Sequence, residues 1–101
     1  MSASGDSRSS YLVECYWPGV SEQKLAAAVA RAHAAASRLR REGGDVEFLG
    51  SILVPADETV FYLFEGREAD VTTTSMEAAI PFERVLESLR IDGRHVKEEE
   101  Q

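Results

Sequence analysis

Three stretches of this chain alternate as β-strands do, yet carry apolar residues on both phases of the alternation. In Tyr11-Leu12-Val13-Glu14-Cys15-Tyr16-Trp17, the set Tyr11, Val13, Cys15 and Trp17 points one way while Leu12, Glu14 and Tyr16 point the other. Between Thr59 and Glu65, Val60, Tyr62 and Phe64 oppose Phe61, Leu63 and Glu65. From Val46 to Val54, Phe48, Gly50, Ile52 and Val54 are set against Leu49, Ser51 and Leu53. A sheet with one face in water shows polar residues on that face. Here neither face is polar, so both demand cover.

The remaining elements follow from period and punctuation. Pro18-Gly19 stops the first strand, and Ser21 can cap a helix with Glu22 in its first turn. Advancing about 100° per residue, Leu25, Val29, Ala32, Ala36 and Leu39 fall on one stripe. Helix one is therefore expected from about Ser21 to Glu42, closed by Gly43-Gly44 with Arg38, Arg40 and Arg41 at its negative end. Pro55-Ala56-Asp57-Glu58 joins the second and third strands as an antiparallel hairpin. Glu68 to Ala79 reads as a second helix, although Thr72-Thr73-Thr74-Ser75 lowers its propensity. Pro81 ends it, and Glu83 to Ile91 returns as a fourth strand that completes the sheet, with a helix as the alternative.

The order βαββαβ is the α+β, ferredoxin-like arrangement: a four-stranded antiparallel sheet with two helices on one face. Two helices cover one face only. The other would expose an apolar patch larger than a soluble monomer normally tolerates, so a homodimer packed through its sheets is expected.

Composition narrows the function classes. Eleven basic residues against eighteen acidic ones, a formal charge of -7, argue against general affinity for nucleic acid or an anionic membrane. The positive charge is concentrated in 21–42, which balances at +3, while 43–92 balances at -8. No run approaches the roughly 18 apolar residues of a membrane span. The Ser-rich start lacks the pattern of a secretory leader, leaving the cytoplasm as the default address. Three segments are expected: a loose N-terminal stretch over 1–10, an α+β domain over 11–92, and a charged tail over 93–101.

The strings Tyr11-Leu12-Val13-Glu14, Ala30-Arg31-Ala32-His33-Ala34-Ala35, Phe48-Leu49-Gly50-Ser51 and Ile80-Pro81-Phe82-Glu83-Arg84-Val85, with the Thr59 to Gly66 strand, resemble a small bacterial family of unknown function. Its members are often labelled nickel-binding proteins. The resemblance implies a ferredoxin-like fold that dimerises into an α+β barrel. For the metal-binding members it also implies histidines in the early strand and both helices. Of these this chain matches only His33, and its second helix offers Thr74, Ser75 and Glu77 instead. A borderline transition metal needs several imidazole or thiolate ligands at one point. His33, His95 and Cys15 show no such spacing, so neither metal nor cofactor is assigned.

Four residues stand out as ligand-binding candidates: His33, Glu14, Tyr16 and Trp17. His33 lies at the margin of the helix-one stripe, either as a boundary histidine packed with Val29 and Ala30 or as a general base or polar anchor in a cavity. The alanines around it either draw the helix close to the sheet or leave a pocket. Glu14 and Tyr16 share a face of a central strand, where an ionised carboxylate needs a partner such as Arg84 or Arg90, in its own chain or a second copy, or a hydrated cavity. Trp17 is a core plug or a stacking platform. Cys15 reads as a small buried hydrophobe without a base beside it.

The leading expectation is a small-molecule-binding homodimer with an apolar or aromatic ligand held between helix one and the sheet. The alternatives are a cofactor-free monooxygenase or cyclase acting on an aromatic or polyketide-like substrate, nickel or other transition-metal binding as in the resembled family, and a structural or protein-interaction module. No catalytic residue is assigned. Fold alone does not separate these classes.

Overall fold

The computed structural model describes residues 8–89, 91 and 93. Its elements run β1 (Arg8–Tyr16), α1 (Glu22–Arg41), β2 (Val46–Val54), a single 3-10 turn (Pro55–Asp57), β3 (Thr59–Arg67), α2 (Glu68–Glu77) and β4 (Arg84–Ser88). The four strands form one antiparallel sheet in the order β2-β3-β1-β4. This is the expected ferredoxin-like βαββαβ topology. No helix among the described residues is long and apolar enough to cross a membrane.

The helix ends follow capping chemistry. Ser21 Oγ accepts from the Lys24 N–H at 3.1 Å, as its N-cap position predicts. At the far end Gly43 N–H bonds Arg40 O and Gly44 N–H bonds Leu39 O, the paired pattern of a Schellman motif. α2 closes in the same way, with Ala79 N–H on Met76 O and Ile80 N–H on Ser75 O. There the left-handed position is filled by Ala79, at φ 61°.

Four boundaries differ by two or more residues from those expected, and one of them is the end of β3, which runs on to Arg67 rather than stopping at Glu65. β1 begins at Arg8 rather than Tyr11, because Arg8, Ser9 and Ser10 find partners in Arg67, Gly66 and Glu65 of β3. β4 ends at Ser88, short of the Ile91 expected, and α2 ends at Glu77 rather than Ala79. The largest correction is in β2, where the register shifts between Phe48 and Gly50. An extra residue there reverses the alternation. Phe48 therefore joins Ser51 and Leu53 on the helix side, and Gly50, Ile52 and Val54 take the other.

Burial shows which face the helices cover. Tyr11, Val13 and Cys15 of β1 and Val60, Tyr62 and Phe64 of β3 are buried beneath Ala28, Ala32, Ala35 and Ala36 of α1 and Val71 of α2. No described element covers the other face. Its apolar residues are half-buried by their neighbours at most, and Ile52 is 51% exposed.

Candidate functional site

The strand pairings resolve the uncovered face into rows. One end is polar, with Glu47, Glu65, Ser10 and Ser88 side by side across the four strands. Next comes an apolar row of Gly50, Leu63, Leu12 and Leu86, then Ile52, Phe61, Glu14 and Arg84, and finally Val54, Thr59 and Tyr16.

Glu14 is the carboxylate within this surface, and Arg84 Nε donates to its Oε1 at 2.7 Å. That ion pair is one of the two fates expected for Glu14. It also raises the Arg84 pKa, first through the hydrogen bond and then through the charge of Glu14. At the polar end Arg8 lies 3.5 Å from Asp45 and 4.0 Å from both Glu47 and Glu65. It offsets the repulsion of two carboxylates facing each other on neighbouring strands. A groove of about 680 Å³ opens beside it, lined by Arg8, Ser9, Ser10, Glu65, Glu87, Ser88 and Leu89.

The expected ligand residues do not converge. Glu14 and Tyr16 lie on the uncovered face, Tyr16 being 54% exposed. His33 lies on α1, on the other side of the sheet, and is exposed to solvent rather than tucked beneath the helix. Trp17 is half-buried, its side chain packed against the core as a plug, while its backbone N–H donates to Glu58 O at 2.7 Å. The split has a simple cause. Successive strand residues point to opposite faces, so no helix-side cavity can collect Glu14 and Tyr16 together with a helix residue.

The alanines of α1 are packed down onto the sheet. Phe48 sits 5.2 Å from Phe64 and 6.5 Å from Tyr62 between ring centroids, and these rings fill the layer below the helix. Burial pushes the Tyr62 phenol up to about 12, with the neighbouring Cys15 adding to the rise and Arg31 opposing it. Cys15 is fully buried, and burial, then Glu83, raises its thiol pKa, so it is a poor nucleophile. On α2, Ser75 donates to Val71 O at 2.9 Å, while the equally buried Thr74 hydroxyl has no partner among the described residues.

Among the described residues, no three His, Cys, Asp or Glu side chains gather closely enough to hold an ion. The expected histidine stands alone on α1, and His95 lies outside the described residues, as does Arg90.

Sequence reasoning missed the polar groove. Its lining comes from both ends of the domain, and the signal that assembles it is the β3-β1-β4 register, with Ser10 facing Glu65 on one side and Ser88 on the other.

No family model matches the chain, and no curated protein matches it in sequence. Among solved structures, SCO4226 from Streptomyces coelicolor A3(2) is similar, with a TM-score of 0.63 and 20% identity over 83% of this chain and 100% of that one. Likeness at that identity is likeness of fold.

Proposed function

We propose that this chain acts as a self-associating interaction module, a homodimer closed through the uncovered sheet faces into an α+β barrel. The observation that carries this reading is the row Leu63, Leu12, Leu86 with Phe61, Ile52 and Val54 beside it, an apolar surface that no element among the described residues covers. Three strands of nine residues and one of five, at about 3.3 Å per residue and about 4.8 Å between strands, give the face roughly 500 Å² in plan. Two copies supply about 1,000 Å², the size at which an interface becomes specific. A second copy also brings the same mixture of Glu and Arg, so opposite charges are available on both sides of such a contact.

The filled layer beneath α1 and the separation of His33 from Glu14 and Tyr16 favour an interaction module over a helix-side ligand chamber or a cofactor-free enzyme. The transition-metal reading draws no support from the donor set.

The test is mass in solution. Sedimentation across the micromolar range should give twice 11.1 kDa for the full chain. Leu63→Lys, which plants a charge at the centre of the face, should give a folded monomer with an unchanged circular dichroism spectrum. A wild-type protein that stays monomeric throughout this range would sink the proposal.

A further inference from the structure

A carboxylate in the middle of an apolar face is an odd thing to keep if apolar burial alone joins two copies. Glu14 stands on central strand β1 with Phe61 across from it on β3, Arg84 across from it on β4, and Leu12 and Leu86 in the next row. Its contact with Arg84 uses one carboxylate oxygen and Nε alone. Among the described residues, the Glu14 Oε2 and both Arg84 amino groups have no hydrogen-bond partner. The Glu14 side chain is 24% exposed and that of Arg84 62%, so both side chains reach the surface of the uncovered face. Arg8, by contrast, is already surrounded by carboxylates of its own chain.

Two-fold symmetry turns such a half-used pair into a recognition element. In an isologous interface the same patch meets itself, so residues near the axis meet their own copies. We propose that Glu14 and Arg84 of one copy meet the partner's Glu14 and the partner's Arg84 in a four-membered cluster of alternating charge. Each guanidinium is shared between two carboxylates, and this cluster rather than the apolar rows selects a second copy as the occupant of the face. The inference rests on the dimer proposed above and adds its specificity. An apolar partner, or a sheet with different charges, would bury the pair with its outer hydrogen bonds unmade. That is the situation in which a buried charge costs most.

The experiment is a charge complementation. Glu14→Arg gives a chain with two positive side chains at the cluster, and Arg84→Glu gives one with two negative side chains. Both sites border solvent in the single chain, so both variants should fold, and thermal melts confirm that they do. Each variant alone should dimerise at least about 100-fold more weakly than the unmodified protein, because four like charges then meet. Mixed in equal amounts they should form a heterodimer within about tenfold of the original affinity, since each positive side chain then meets a negative one. A purely structural role for the pair would not produce this rescue. Two folded variants that stay monomeric when mixed, or a single variant that dimerises within about threefold of the unmodified chain, would overturn the cluster and leave the dimer standing. An unmodified chain that is itself monomeric would take both down.

Discussion

Two glycines provide a controlled measurement of what packing costs in this fold. Gly50 and Gly66 share almost the same unusual backbone, with φ at +148° and +146°, but differ in surroundings. A Cβ on Gly50 would meet nothing within 4 Å. On Gly66 it would fall 2.1 Å from Asp45 O and 2.8 Å from Val46 Cα, both backbone atoms. Relieving that clash means moving the Asp45 carbonyl by about 1.3 Å or more, from contact inside the repulsive wall to ordinary packing distance. That carbonyl accepts from Arg67 N–H at 2.9 Å, while Asp45 N–H donates to Asp70 Oδ2 at 2.8 Å. The shift therefore disturbs two hydrogen bonds worth about 1 kcal/mol each. Gly50→Ala should carry only the backbone strain, about 1–2 kcal/mol. Gly66→Ala carries the same strain plus the clash, for a total of about 3–5 kcal/mol. Urea unfolding of both variants on a Leu63→Lys background keeps association out of the comparison. Equal losses within about 0.5 kcal/mol would refute the reasoning, because the clash is the only difference assigned to the pair.

Two further outcomes follow from single side chains. The Tyr62 phenol is raised to about 12 in the fold against an ordinary 10.0, so between those values the unfolded chain loses its proton first and stability falls as pH rises. Tyr62→Phe should flatten the fall in thermal midpoint across that window, and an unchanged slope would count against burial as its cause; Tyr11, raised chiefly by burial, leaves a residual slope of the same sign. Ala79→Gly relieves a left-handed residue at the end of α2, where α1 already uses Gly43. The relief of about 1–2 kcal/mol less the entropy of glycine should raise stability by about 0.5–1 kcal/mol, and a lower denaturation midpoint would contradict it.

The topology was legible because its signals are local. Ser21, Pro18-Gly19 and Gly43-Gly44 bracket α1 within a residue, and the two-sided apolar alternation of β1 and β3 correctly marks an uncovered face. The alternation of β2 was not legible beyond Phe48. A bulge costs one residue and leaves no strong mark on composition, and Gly50 within a strand is its only trace. The Glu14–Arg84 pair was named among the possible partners of Glu14, but choosing Arg84 over Arg90 required the β1-β4 register. The failure at His33 is of another kind. A wheel places a residue at the edge of a stripe, while the depth at which the helix sits decides whether that edge is covered.

That depth follows from the alanines themselves. Ala28, Ala32, Ala35 and Ala36 leave no side chain to hold α1 away from the sheet, so the space a longer residue would occupy is filled from below by Phe48, Tyr62 and Phe64. Residues at the stripe margin, His33 among them, are then left outside the contact. The same small side chains that suggested a pocket instead bring the helix down onto the large rings of the strands beneath. With the helix side spent on packing, the residues able to meet another molecule are those the alternation sends the other way: Leu12, Leu63, Phe61 and the half-used pair of Glu14 and Arg84.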